Sequence, residues 1–267
     1  MQFFDGKKIR EEILADLKDR IVKMHKQPGM AVILVGENEV NNRYAALKKR
    51  VAESIGILVK TYRFPEDSDQ KEILDKIHDL NHDINIDGIM VQMPVPKGFD
   101  KVEIVNAISP EKDVDGLRFC AGFHSHFSPP VVLAISEAIK MANKEIGKCE
   151  IVVVGKGFLV GWPVARCLEE AVAGVVSVDA DTKNLVQILK NADVVISATG
   201  KAGLIKPEMI NEGVVLVDAG TSEVGGELKG DIDPLCYEKA SYYTPVPGGI
   251  GPVTIAMLLQ NLVKRIE

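Results

Sequence analysis

Short apolar runs alternate with amphipathic stretches along most of this chain, and that alternation restricts it to α/β folds with parallel sheets. Residues 30–35, 57–64 and 88–93 are strand-length apolar runs, and residues 40–55 and 70–80 repeat their apolar positions at helical spacing. Parallel neighbours need a long crossover, which such helical stretches supply. Three proline-bearing segments then break the rhythm: Met93-Pro94-Val95-Pro96, Ser109-Pro110 and Ser128-Pro129-Pro130. The last opens a helical stretch over 131–143, where the N–H that proline lacks would have had no partner. A second series of strands follows at 151–154, 175–178, 194–198 and 214–218, and a helix over 251–266 closes the chain. Ile151-Val152-Val153-Val154 is apolar throughout, as in a strand covered on both faces. With 267 residues there is room for two cores. The expected fold is two α/β lobes, residues 1–138 and 139–251, with the terminal helix 252–267 returning to the first.

Charge and cysteine content narrow the function. The net charge is −6 with no long run of one sign, which leaves no footprint for nucleic acid or an anionic membrane. No apolar stretch approaches the ~20 residues of a membrane span, and the polar start Met1-Gln2-Phe3-Phe4-Asp5-Gly6-Lys7 is unlike a signal peptide. Cys120, Cys149, Cys167 and Cys236 form no CxxC pair and have no histidine at metal-ligand spacing. The expectation is a soluble cytoplasmic protein with reduced thiols and no metal.

The second lobe carries the marks of a Rossmann-type dinucleotide-binding domain. Its first strand runs into Gly155-Lys156-Gly157-Phe158-Leu159-Val160-Gly161-Trp162-Pro163, and a helical pattern follows through Ala171. Glycines at such a turn let the backbone approach a pyrophosphate, whose charge then rests against helix N–H groups. The spacing is GxGxxxG, so a tight turn with no ligand is the competing reading. About two dozen residues on, Asp179 ends the next strand, where a carboxylate can bind ribose hydroxyls and repel a 2′-phosphate. Alternatively Asp179 or Asp181 caps a helix starting near Thr182.

The first lobe carries candidates for chemistry. Tyr44 and Lys48 are four residues apart in a helical stretch and share a face, either toward a cleft or toward water. Gln92 interrupts the apolar run Ile89-Met90-Val91-Gln92-Met93, and a buried amide must find partners. Asp113 and Asp115 stand in Pro110-Glu111-Lys112-Asp113-Val114-Asp115-Gly116, a pattern of turns that lacks the rest of a calcium loop. Near the end, Thr244-Pro245-Val246-Pro247-Gly248-Gly249-Ile250-Gly251-Pro252-Val253-Thr254 constrains more positions than a connector needs.

Taken together these segments resemble the bifunctional methylenetetrahydrofolate dehydrogenase/cyclohydrolase family over nearly the whole chain. The most specific are residues 110–116 and 244–254, with the run from Asp87 to Pro96. The resemblance implies oxidation of methylenetetrahydrofolate and hydrolysis of the methenyl product to formyltetrahydrofolate, a one-carbon donor of the kind purine biosynthesis consumes. It implies Lys48, Tyr44, Gln92 and Asp115 as catalytic residues: Lys48 as acid/base, Gln92 holding Lys48 and water, Tyr44 beside the aminobenzoyl group and Asp115 on the pterin. Pro247, Gly248 and Gly249 would join Tyr44 and Asp115 in binding substrate. The cofactor set would be Gly155, Lys156, Gly157, Val160, Gly161, Asp179, Thr199, Gly200 and Gly220. The family suggests NADP and a homodimer, while Asp179 suggests NAD.

The sequence also departs from the family pattern. Asn41 replaces a serine before the tyrosine, and Leu117-Arg118 stands where a histidine is common. Phe127-Ser128-Pro129 replaces a PCTP run, and Val178-Asp179-Ala180 a Cys-His-Ser run. A monofunctional folate dehydrogenase, a shikimate-type two-lobe dehydrogenase and a non-catalytic folate or nucleotide binder are the rival readings.

Overall fold

In the computed structural model, which describes residues 2–172 and 174–267, the strand Gly29–Val35 is buried along its whole length. It is the centre of a three-stranded parallel sheet, between Leu58–Phe64 and Gly88–Val91. Successive side chains point to opposite faces. Met30, Val32 and Leu34 meet Leu17, Ala52, Leu258 and Leu262 on one side, and Ala31, Ile33 and Val35 meet Ile73, Ile77 and Ile104 on the other. Both faces are covered, so the strand has no solvent-facing positions and reads as one apolar run. Leu258 and Leu262 belong to the helix Ile250–Ile266, so the C-terminal helix does return to the first lobe. Gly88 makes that approach close: a Cβ there would lie 2.6 Å from Leu262 Cδ1 and 2.8 Å from Val114 Cγ2.

The helices of this lobe begin where short polar side chains cap them. Asn38 accepts from the Asn41 amide at the start of Glu39–Ser54. Asp69 does the same for Gln70–His82, and Asp100 for Lys101–Asn106.

By its internal contacts the chain divides into Glu11–Pro130 with Ile255–Glu267, and Met1–Arg10 with Val131–Thr254. The start of the chain and residues 131–138 therefore fall in the second unit, where the sequence reading had them in the first. The reason lies in pairing: Gln2–Phe3 lies parallel to Tyr242–Tyr243 at the edge of the second sheet. Gly6 then sits under the backbone of Gly248 and Gly249, and a Cβ on it would fall 1.9 Å from Gly249 O.

That second sheet has six strands in the order Gln2–Phe3, Tyr242–Tyr243, Val215–Asp218, Val194–Ser197, Ile151–Val154, Val175–Val178, all parallel. Ile151–Val154, Val194–Ser197 and Val215–Asp218 are wholly buried, and the edge strand Val175–Val178 is partly exposed. The direction of winding reverses between Ile151–Val154 and Val194–Ser197. Open α/β sheets receive ligands at the carboxyl ends of the strands beside such a reversal. A short antiparallel ribbon, Ser222–Val224 with Glu227–Lys229, follows the last long strand.

Candidate active site

Lys48, Gln92 and Asp115, which lie far apart in sequence, converge in the first lobe. Lys48 leaves the helix Glu39–Ser54 with its Nζ 3.4 Å from Gln92 Oε1, 3.2 Å from Met90 Sδ and 3.9 Å from Asp115 Oδ2. Its side chain is only 14% exposed, so the cleft reading of the Tyr44/Lys48 face describes it better than the solvated one. Gln92 is buried at the end of Gly88–Val91 and donates through Nε2 to Met93 O at 3.0 Å. That bond fixes its amide with the carbonyl oxygen toward Lys48. Tyr44, one turn earlier on the helix, remains partly exposed. Asn41, a further turn back, is buried and donates to Pro94 O at 2.9 Å. This departure from the family pattern thus ties the helix to the loop after Gln92.

The two aspartates of the KDVDG segment have separate tasks. Asp113 is fully buried and accepts from Leu117 N at 3.0 Å, Arg118 N at 2.9 Å and Ser125 Oγ at 2.9 Å. Burial pushes its carboxyl up to about 7, although those bonds act the other way. It pins the turn, leaving Asp115 to face Lys48. Gly116 adopts φ 64°, and a Cβ there would strike Pro129 N at 2.6 Å. Arg118 is structural: it donates to the carbonyls of His124, Ile108 and Asn106. Lys112 is structural too, donating to Leu80 O and Asp83 O.

Sequence reasoning passed over Asn261. Buried in the C-terminal helix, it donates to Val114 O at 2.9 Å and Ser128 O at 3.0 Å. It thereby clamps the residue before Asp115. Its signal was the one that exposed Gln92, an amide inside the apolar run Leu258-Leu259-Gln260-Asn261-Leu262-Val263.

In the second lobe the Gly155 loop lies at the winding reversal. Gly155 has φ +116°, and a Cβ on it would meet Ala198 O at 2.4 Å. Gly155 N donates to Val178 O at 2.8 Å, which sets the loop beside Asp179. Gly161 begins the helix Gly161–Ala171 under the loop, 2.0 Å being all a Cβ would have to Gly155 O. Gly157 has open space where a Cβ would stand. Val160 is the N-cap residue and offers no side-chain cap; Trp162 N is taken by Gly157 O at 3.0 Å and Pro163 has no N–H, which leaves the Gly161 N–H of this turn to meet an anion. These residues fit a dinucleotide pyrophosphate: a crowded glycine, an open glycine and a helix N-terminus, with Lys156 exposed on the loop.

Asp179 is exposed and closes a turn: its Oδ1 accepts from Asp181 N at 3.1 Å and Thr182 Oγ1 at 3.0 Å. The next helix starts only at Leu185–Lys190, so Asp179 caps a turn rather than that helix. Thr199 and Gly200 follow the strand Val194–Ser197, and Gly220 follows Val215–Asp218. Pro247, Gly248 and Gly249 lie in the second unit, just ahead of the C-terminal helix, with Gly248 at φ +109°.

Comparison with known proteins agrees over both lobes. Residues 4–115 match the tetrahydrofolate dehydrogenase/cyclohydrolase catalytic domain, and residues 129–267 match the NAD(P)-binding domain of the same family. The chain is 39% identical over 274 residues to the bifunctional protein FolD of Halothermothrix orenii, covering 98% of this chain and 97% of that one. The crystal structure of the bifunctional FolD methylenetetrahydrofolate dehydrogenase/cyclohydrolase from Campylobacter jejuni superposes with a TM-score of 0.94 at 36% identity, covering 100% and 98%. The Trypanosoma brucei enzyme, complexed with NADP cofactor and inhibitor, does so at 0.91 and 30% identity, covering 99% and 96%. A shikimate dehydrogenase from Peptoclostridium difficile reaches only 0.52 at 15% identity and shares the fold alone.

Proposed function

The chain belongs to the tetrahydrofolate dehydrogenase/cyclohydrolase family, and on that premise we propose how its residues divide the work. It is a bifunctional folate enzyme that oxidises methylenetetrahydrofolate to methenyltetrahydrofolate with a nicotinamide dinucleotide and hydrolyses the product to formyltetrahydrofolate.

Hydrolysis falls to Lys48. As water adds to the methenyl carbon, Lys48 takes one of its protons and returns it to the ring nitrogen whose bond to that carbon breaks. The remaining hydroxyl proton leaves as the formyl C=O forms. Gln92 Oε1 holds the ammonium, and Asp115 at 3.9 Å stabilises it without a close ion pair. Asp115 thus keeps lone pairs for the pterin amino and ring N–H groups, and Tyr44 lays its ring beside the aminobenzoyl group. The bound dinucleotide supplies the hydride acceptor for oxidation, a step that asks mainly for positioning. Gly155, Lys156, Gly157, Val160 and Gly161 would hold its pyrophosphate, with Thr199, Gly200 and Gly220 beside the rest of it. Pro247, Gly248 and Gly249 complete the proposed substrate contacts.

The observation that carries this reading is the convergence of Lys48, Gln92 and Asp115 at a site where the Lys48 side chain is 14% exposed. The test is optical. Purified protein with methylenetetrahydrofolate and either dinucleotide should form methenyltetrahydrofolate, and added methenyltetrahydrofolate should decay faster than without protein. Absence of the second activity alone would leave a monofunctional dehydrogenase.

Cofactor choice, assembly and location are also part of the proposal. Asp179 at the ribose end of the site favours acceptance of NAD, against the NADP that the Trypanosoma relative binds. Lys156 and Lys183 offset that preference in part. A cytoplasmic homodimer feeding purine biosynthesis fits the family. No helix among the described residues is long and apolar enough to cross a membrane. Light scattering on the purified protein tests the dimer.

A further inference from the structure

Asp231 is fully buried behind the strand ends of the second lobe. Its Oδ2 accepts from Ser197 Oγ at 2.8 Å, Thr199 N at 2.6 Å and Thr199 Oγ1 at 2.9 Å. All three donors lie at the end of the strand beside the winding reversal or in the loop just after it. Its Oδ1 is buried with no hydrogen-bond partner. Leaving a buried carboxylate oxygen without a protein partner is costly, and folds keep such groups where something besides stability requires them.

Two neighbours are shaped around this side chain. Gly220 faces it so closely that a Cβ would fall 2.0 Å from Asp231 Cγ. The demand for glycine at 220 thus comes from Asp231. Asp218, buried one strand over, accepts from the amides of Gly220, Asp231 and Ile232 at 3.1, 3.2 and 2.9 Å, and so fixes Asp231 from behind.

We propose that Asp231 is the positioning residue of the dinucleotide site, setting the Ala198-Thr199-Gly200 loop through three hydrogen bonds to one oxygen. The proposal rests on the reading of Thr199 and Gly200 as cofactor contacts. It gives Gly220 a second role, that of leaving room for the Asp231 carboxylate.

The two activities provide an internal control, because methenyltetrahydrofolate hydrolysis consumes no dinucleotide. NADH and NADPH are titrated by fluorescence into wild type, D231A, D231N and G220A, and hydrolysis is measured on each. D231A is expected to weaken dinucleotide binding by about tenfold or more while hydrolysis stays unchanged. D231N keeps an oxygen able to accept the same donors and should recover most of the binding, whereas G220A should resemble D231A. Unchanged Kd in D231A, D231N binding no better than D231A, or loss of hydrolysis in parallel with binding would each overturn the assignment. Failure of the wild type to bind either dinucleotide would overturn the cofactor reading beneath it.

Discussion

Replacing Asn261 by alanine should loosen the folate side of the enzyme from within the C-terminal helix. Asn261 is 2% exposed, and its one amide nitrogen serves Val114 O and Ser128 O. Alanine leaves both carbonyls without that donor, Val114 being fully buried and Ser128 an exposed residue that water reaches. An unsatisfied buried acceptor costs about 1–3 kcal/mol, and Val114 O is the acceptor that bears it. At about 2–4 °C per kcal/mol for a chain of this size, the thermal midpoint should fall by roughly 2–12 °C. The functional effect has a direction too. Val114 precedes Asp115, so the folate KM should rise in both reactions while dinucleotide Kd holds. N261D is the control: it has the same shape but only acceptors when ionised, and should do at least as much damage. Calorimetry and steady-state kinetics on both variants decide the matter. A wild-type midpoint with wild-type folate KM in N261A would refute the clamp, and a tolerated N261D would show that donation is not what matters.

Three further outcomes are expected. K48A should lose about a hundredfold or more of its hydrolysis, the usual worth of a positioned proton carrier, with dinucleotide binding nearly intact; full hydrolysis in the variant would remove Lys48 from the mechanism. D179S should raise the NADP-to-NAD ratio of kcat/KM, since it removes a carboxylate from the site of a 2′-phosphate; an unmoved ratio would confine Asp179 to its turn with Thr182. Burial lifts both Asp113 and Asp218 to about 7 from an ordinary 3.8. Between those values the folded chain holds protons that the unfolded chain has lost, so their contribution is full below about pH 4 and declines as pH rises through 7. The urea midpoint should therefore drop between about pH 5 and 7.5 and level off above that, and a flat midpoint across this range would contradict the assignment of these two groups.

The inner strands were legible because they are covered on both faces and so spell continuous apolar runs, as at Gly29–Val35 and Ile151–Val154. The edge pair Gln2–Phe3 and Tyr242–Tyr243 was not. Two residues carry no periodicity; Gln2–Phe3 exists only because a partner 240 positions away completes it, and Tyr242–Tyr243 is set between that strand and Val215–Asp218. The helix Gly6–Val22 was missed, and no acidic residue in its first turn marks its start. Its apolar residues Ile13, Leu14, Leu17 and Ile21 form a narrow stripe among nine charged ones.

The site shows the same division at finer scale. Lys48, Gln92 and Asp115 each stood out locally, as a lysine on a helix face, an amide in a strand and an acid in a turn. What the local pattern lacked was any means of telling Asp113 from Asp115, because both satisfy the turn pattern; the family resemblance alone singled out Asp115. The distinction is made by residues outside it: Ser125 donates to Asp113, and Asn261 holds the carbonyl of Val114 between the two. Asp231 is the extreme case. It follows a glycine after a surface ribbon and looks like turn chemistry, yet it is fully buried and bonded to a loop 32 residues earlier. Polar residues that touch a ligand are found by their chemistry, whereas those that hold the ligand-binding backbone in place are found only by their partners. A fold of this kind therefore hides its positioning residues in proportion to how far apart in sequence the held and holding segments lie.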